Sequence, residues 1–241
     1  MINLSIIIPA FNEEKRIGAT LLDYLTFFQD KNTEIIVVLN GCTDNTEKIV
    51  FDFQKKFPHI LKYFNFLEPI GKGGAVLEGF KVADGKIIGF IDADRSTAAI
   101  DCQKLVEQLN NADGIIASRW LKNSIVENRS FFRRLASKCY AILVRLIFRM
   151  PLTDTQCGAK FFKKSILQKI LPKLRETSMV FDVELLYFYI AKGYKLKEGE
   201  TVWIDQPGSA ALGTPYNFIK RGFQMLNKLL KIKKYVQESN L

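Results

Sequence analysis

Asp92-Ala93-Asp94 directly follows the apolar run Ile87-Ile88-Gly89-Phe90-Ile91, so two carboxylates stand just past what reads as a buried strand. Where a strand ends, the chain can turn and aim both side chains at one point. Hard cations such as Mg²⁺ and Mn²⁺ take oxygen ligands of this kind, and Mg²⁺ keeps the rest of its shell for water and substrate phosphates. The same residues would also serve a solvated turn or a helix N-cap. Gly71-Lys72-Gly73-Gly74, ahead of a helical pattern, offers backbone N–H groups and an ammonium to phosphate oxygens. Its spacing is not that of a Walker A loop, and a plain glycine turn would use the same residues. The single histidine, His59 beside Pro58, reads as a surface loop residue, and a Ser-His-Asp triad would need it as base. Cys42, Cys102, Cys139 and Cys157 contain no CxxC pair, which argues against a zinc site or a disulfide scaffold.

The elements that must position these groups follow from periodicity. Leu4 to Pro9, Ile35 to Leu39, Ile87 to Ile91 and Ile115 to Ala117 are short, near-continuous apolar runs that suit strands buried on both faces. Helical patterns at 14–28, 43–57, 74–82 and 100–110 alternate with them, giving the βαβ rhythm of an open parallel sheet. Ligands of such sheets sit beyond the carboxyl ends of the strands. The polar turns at 9–13, 40–44 and 92–94 are therefore expected to converge on one rim. Beyond Ser118 the rhythm is lost. A long helix is predicted over 131–150, with Phe132, Leu135, Ala136, Cys139, Leu143, Leu146, Ile147 and Met150 on one face and Arg134, Lys138, Arg145 and Arg149 on the other. A short apolar piece (159–162), helices at 165–174 and 181–192, a strand at 195–204 and a loop with Pro207, Gly208, Gly213 and Pro215 follow. The tail, 216–236, reads as a basic amphipathic helix with apolar Ile219, Phe223, Leu226 and Leu230.

The 241 residues, 48% hydrophobic and 25% charged, suit one large globular domain or one domain with an appendage. No apolar stretch reaches the roughly 20 residues needed to span a bilayer, and Met1 leads straight into a strand pattern without a basic leader. A cytoplasmic protein is the expectation. A formal net charge of +10 suits nucleic acid, phosphorylated small molecules or an anionic membrane surface as partner.

Seven ordered segments make the chain resemble the family 2 glycosyltransferases of GT-A fold, and within them the dolichyl-phosphate glucose and mannose synthases. They are Ile8-Pro9-Ala10-Phe11-Asn12-Glu13-Glu14, Asn40-Gly41-Cys42-Thr43-Asp44-Asn45-Thr46, Gly71-Lys72-Gly73-Gly74-Ala75, Asp92-Ala93-Asp94, Ser118-Arg119, Asp154-Thr155-Gln156-Cys157-Gly158 and Phe181-Asp182-Val183-Glu184-Leu185-Leu186-Tyr187. The last two, with Trp203 and Pro207-Gly208-Ser209, look most like the glucosyl-phosphate branch. The resemblance implies an α/β GT-A nucleotide-diphospho-sugar transferase fold with a mostly parallel central sheet. It implies inverting transfer of a hexose from a nucleotide-diphosphate sugar, UDP-glucose favoured, to a polyprenyl phosphate. It points to Pro9, Ala10, Phe11, Glu13, Asn40, Lys72 and Gly73 for the nucleotide, and to Asp92 and Asp94 for a Mg²⁺ or Mn²⁺ cofactor. Arg119, Arg133 and Ser137 are the implied clamp on the acceptor phosphate, although Arg133 read alone is equally one more solvated charge. In three places the chain departs from the family's usual residues: Asn40 stands for an Asp, Ser96 for a Gln, and Ala210 for a Lys.

An acceptor phosphate is already an anionic nucleophile and needs no general base, so a chain with one histidine is no obstacle. Residues 1–215 are read as the catalytic domain, with 131–150 facing acceptor and membrane, and 216–241 as a basic C-terminal helix. Both helices could lie in the headgroup layer on the cytoplasmic face of a membrane, or pack their apolar faces on the sheet. One rival reading is a soluble transferase acting on a sugar hydroxyl, with Asp182, Glu184 or Asp205 as base. The other is a non-catalytic nucleic-acid-binding module, disfavoured because the cations sit on helices whose other face is apolar.

Overall fold

The computed structural model describes residues 2–206 and 215–239, with backbone alone for 215–223. The apolar runs become strands β1 (Leu4–Ala10), β2 (Thr33–Asn40), β4 (Ile87–Phe90) and β5 (Gly114–Ser118), each almost wholly buried. Between them lie α1 (Ile17–Phe28), α2 (Thr46–Lys56), α3 (Gly71–Val82) and α4 (Ala99–Glu107). Two helices start later than periodicity alone predicts. Glu13 to Arg16 forms a turn ahead of α1, and Asp44 Oδ1 accepts from the Thr46 N–H at the start of α2.

One strand, β3 (Leu61–Phe66), has no counterpart in the sequence reading. It is an edge strand pairing only with β2, and its mixed exposure gives Leu61-Lys62-Tyr63-Phe64-Asn65-Phe66 no clean alternation. The predicted strand at 195–204 divides at Thr201 into β8 (Leu196–Glu200) and β9 (Val202–Ile204). The piece at 159–162 is β7 (Lys160–Lys163), and β6 (Ile125–Glu127) pairs with β9 in a small separate ribbon. The remaining helices are α5 (Phe131–Phe148), α6 (Lys164–Ile170), α7 (Phe181–Ala191) and α8 (Pro215–Glu238).

Among the described residues, seven strands form one sheet in the order β3-β2-β1-β4-β7-β5-β8, and β7 alone runs antiparallel to its neighbours. Its reversal matters for the site. The rim that receives the carboxyl ends of β1, β2, β4, β5 and β8 also receives the start of β7, where Lys160 lies opposite Phe90. Chain order reverses between β1 and β4, the switch point at which open α/β sheets bind ligands.

Two apolar cores sandwich the sheet: one under α1, α2 and α4, the other under α3, α5, α6, α7 and α8. α8 buries Leu229, Ile232 and Val236, whereas Leu230, assigned to its apolar face from sequence, is exposed. The packed stripe is one residue round from the expected one because it meets α7 and α5. Pro207, Gly208, Ser209, Ala210 and Gly213, and the side chains of Ile219 and Phe223 expected on the apolar face, lie outside the described residues. α5 presents Val144 and Phe148 inward, while Phe132 (76% exposed), Leu135, Leu143 and Leu146 (72%) face solvent. No described helix is long and apolar enough to cross a membrane.

Candidate active site

One half of the rim is laced together from the turns after β1 and β2. The Glu13 N–H donates to Thr46 Oγ1 (2.7 Å), the Glu14 N–H to Asp44 Oδ2 (3.0 Å), and the Thr43 N–H to Asn12 Oδ1 (2.8 Å), with Asn12 in the left-handed region at φ 53°. Pro9 and Ala10 end β1 opposite Val38 and Leu39, and Phe11 stands out from the rim, 53% exposed. The Glu13 carboxylate receives both Nε and Nη2 of Arg16 at 2.6 Å. Burial, aided by the charges of Asp94 and Asp92, still holds its pKa above the ordinary value, which places these three carboxylates in one field. Asn40, expected at the nucleotide, is already engaged: its Oδ1 accepts from the Ile70 N–H at 2.7 Å and braces the loop that enters α3.

That loop carries Gly71 at φ +80°, a conformation L side chains rarely adopt. It delivers Lys72, whose Nζ lies 2.6 Å from Asp92 Oδ1. Across from it, a Cβ on Gly158 would fall 1.9 Å from Asp92 Oδ2, so only glycine lets the 154–158 turn approach this carboxylate. Burial pushes the Asp92 carboxyl up, but Lys72, Lys160 and Arg119 outweigh it and hold it below the ordinary value. Asp94 is displaced the other way, raised by burial and by the charge on Asp92. Its Oδ1 accepts from the Ser96 N–H (3.0 Å) and its Oδ2 stands 4.0 Å from Arg16 Nη1. A carboxylate whose charge is disfavoured by burial and by its neighbour suits a divalent cation shared with that neighbour. Among the described residues no three His, Cys, Asp or Glu side chains converge to hold one alone, so the remaining ligands would be donor phosphates and water.

The other half of the rim pairs carboxylates with cations one for one. Arg119, at the end of β5, is buried and gives Nε (2.7 Å) and Nη2 (2.9 Å) to Asp154, whose Oδ1 also accepts from the N–H groups of Gln156 and Cys157. Arg119 also stacks over the Trp203 ring at 5.1 Å. Arg133 Nη1 donates to Asp205 Oδ2 (2.8 Å), and Trp203 Nε1 reaches the other oxygen of Asp205 at 3.4 Å. Ser137 accepts from Arg129 Nη2. The three clamp residues expected from sequence therefore fall in one region, each already engaged with a protein partner.

Sequence reasoning gave no role to Lys160, which is fully buried with its Nζ 2.8 Å from Asp182 Oδ1 and 2.5 Å from the Cys157 carbonyl. The available signal was a lysine inside the apolar piece 159–162. It also passed over Arg129, one residue ahead of the helix cap Ser130. Glu184, buried on α7, accepts from the N–H groups of Arg175 (3.0 Å) and Glu176 (2.8 Å), and burial raises its pKa.

Comparison with known proteins gives the family and the fold. The family model "Glycosyl transferase family 2" matches residues 5–171. The chain is 35% identical over 226 residues to "Dolichyl-phosphate beta-glucosyltransferase" of Drosophila melanogaster, covering 86% of this chain and 69% of that one. Among solved structures it superposes on glucosyl-3-phosphoglycerate synthase from Mycobacterium tuberculosis in complex with Mn²⁺, UDP and glucosyl-3-phosphoglycerate, with TM-score 0.64 and 16% identity over 91% of this chain and 75% of that one. It also superposes on S. aureus TarS 1-349 (TM-score 0.60, 19% identity), covering 84% of this chain and 59% of the TarS chain. The fold is the GT-A fold, and the chain belongs to glycosyl transferase family 2.

Proposed function

We propose that the protein is an inverting, metal-dependent glucosyltransferase that moves glucose from UDP-glucose to the phosphate of a polyprenyl lipid at a membrane surface. The observation that carries this reading is the state of the carboxylates a hydroxyl acceptor would need as base. Asp182 is sealed against Lys160, Glu184 is buried on backbone N–H groups, and Asp205 is held by Arg133 and Trp203. An acceptor that arrives as an anion needs none of them. The name of the Drosophila relative supports glucose and dolichyl phosphate, and the mycobacterial complex supports UDP and Mn²⁺.

In this reading Asp92 and Asp94 would hold Mg²⁺ or Mn²⁺, which when bound would supply charge neutralisation on the departing diphosphate. Pro9, Ala10, Phe11 and Glu13 border the nucleoside, with Asn40 bracing the loop behind it. Lys72 and the backbone at Gly73 meet the diphosphate at the start of α3, where the helix dipole favours negative charge. An oxygen of the lipid phosphate forms the new bond to the anomeric carbon opposite the diphosphate, and the bond to the leaving oxygen breaks. Arg133 and Ser137 orient that phosphate, and Arg119 acts from its Asp154 brace.

α5 connects the two phases. Arg133 and Ser137 lie toward the site, while the exposed apolar side chains Phe132, Leu135 and Leu146 and the exposed cations Arg134, Lys138, Arg145 and Arg149 on the neighbouring face together suit an anionic bilayer surface, each cation contributing about 1 kcal/mol near it. Residues 1–215 then act as the catalytic unit, with 131–150 facing acceptor and membrane and α8 packed against α5, peripheral to the cytoplasmic face. The test is a scan of nucleotide sugars with Mg²⁺ or Mn²⁺ and a polyprenyl phosphate, following nucleoside diphosphate release. Product with UDP-glucose that requires both metal and lipid phosphate supports the reading. Turnover only with hydroxyl acceptors overturns it.

A further inference from the structure

Arg129 is the one arginine of the acceptor region with buried donors left over. Its Nη2 donates to Ser137 Oγ, while Nε and Nη1 are buried without a hydrogen-bond partner among the described residues. Its guanidinium lies 6.0 Å from the ring centroid of Trp120, whose own Nε1 is likewise buried and unpartnered. Gln156 Nε2, beside the Asp154 brace, is a further such donor. Thr155 Oγ1 of the same turn is unmet as well, but the unmet groups of Arg129 and Trp120 are all donors, so what Arg129 lacks is an acceptor. Leaving a guanidinium N–H buried and unmet is costly, and in native proteins such groups mark a bound ion or water or a functional role.

The electrostatics have the same sign. Arg129 stands in the field of Arg119 and Arg133, and burial together with those two like charges pushes its pKa down to about 10 against the partial support of Asp205 and Asp154. Asp154 is committed to Arg119, and Asp205 to Arg133 and Trp203, so neither carboxylate neutralises Arg129 by a direct pair. Arg129 also immediately precedes the N-cap of the eighteen-residue α5, where the helix dipole adds positive potential.

We propose that Arg129 is the residue that grips the acceptor phosphate, with Arg119 serving chiefly as the Asp154-bound strut behind it. This rests on the reading of a phosphorylated lipid acceptor and adds to it the group that selects phosphate over hydroxyl. An oxyanion accepts from Arg129 Nε or Nη1 while Nη2 stays on Ser137 Oγ, so Ser137 fixes the guanidinium and its own O–H can donate to the same phosphate.

The test uses the full chain with Mn²⁺ and UDP, titrated with a short-chain polyprenyl phosphate, and compares wild type with Arg129→Gln and Arg129→Lys. The expected result is a loss of lipid-phosphate affinity of about tenfold to a hundredfold in Arg129→Gln, as for a charge-assisted hydrogen bond. Arg129→Lys should be intermediate, UDP affinity unchanged in both, and added guanidinium should partly restore binding to an Arg129→Ala variant. Wild-type-like lipid-phosphate binding by Arg129→Gln overturns the proposal, as does loss of UDP and lipid binding in parallel in both variants, which would make the role structural. If the wild type binds UDP but no lipid phosphate, the functional reading fails first, and the two failures are thus distinguishable.

Discussion

Lys72–Asp92 and Lys160–Asp182 are both lysine–aspartate pairs of one site, at 2.6 and 2.8 Å, yet 17% and 26% of the first pair's side chains is exposed against 0% and 3% of the second's. The open pair lies at the end of β4 where a diphosphate would arrive, and the sealed pair lies beneath it between β7 and α7. Geometry alone does not separate them. Burial does, because a pair that solvent reaches can trade partners at modest cost, whereas a dry pair that loses one member strands a charge. The donor half of the rim is accordingly exchangeable, and the ground under it is fixed.

Breaking the sealed pair should give the largest effect. Lys160→Met strands Asp182 and is expected to cost about 3–5 kcal/mol in urea unfolding, with Lys160→Met/Asp182→Leu recovering most of it. On the open side, Asp94→Asn should leave the unfolding midpoint nearly unchanged and lower turnover by about a hundredfold, near 3 kcal/mol, with Mn²⁺ binding weakened in parallel by electron paramagnetic resonance. Lys72→Met sharpens the contrast: a rise in donor KM worth about 1.5–3 kcal/mol, with stability changed far less than by Lys160→Met. If Lys72→Met and Lys160→Met lose stability equally, the distinction between the pairs is wrong.

The smallest effect belongs to a third lysine pair, Lys62–Glu34 at 2.8 Å, away from the rim. Burial pushes the Glu34 carboxyl up, but Lys62, Ser5 and the Asp84 N–H outweigh it and hold it below its ordinary value of 4.5. A depressed carboxylate stabilises fully above its unfolded value and loses that contribution as pH falls through the folded one. Glu34 is buried but Lys62 is half exposed, and Gln keeps an acceptor for Ser5 and the Asp84 N–H, so Glu34→Gln should cost about 1–1.5 kcal/mol at neutral pH and flatten the stability curve below pH 4.5.

The first half of the chain was legible because β1, β2 and β4 are buried on both faces and end in motif-bearing turns, so period and chemistry coincide. β3 was not, since an edge strand with Lys62 and Asn65 carries neither a continuous run nor clean alternation. The reversal of β7 is a pairing choice that four residues cannot encode, and it is what places Lys160 and the 154–158 turn beside Asp92. Side-chain engagement was equally invisible: that Asn40 serves Ile70, Arg119 serves Asp154 and Arg133 meets Asp205 depends on contacts 30, 35 and 72 residues apart. The amphipathy of α5 was legible, but which face it buries was not.

The most direct measurement runs the protein with UDP-glucose and Mn²⁺ on a polyprenyl phosphate and on the matching polyprenol, side by side. The account expects glucosyl transfer to the phosphate, with inversion at the anomeric carbon, and none to the alcohol. Equal transfer to both, or transfer to the alcohol alone, would mean that one of the engaged carboxylates acts as a base and would contradict it.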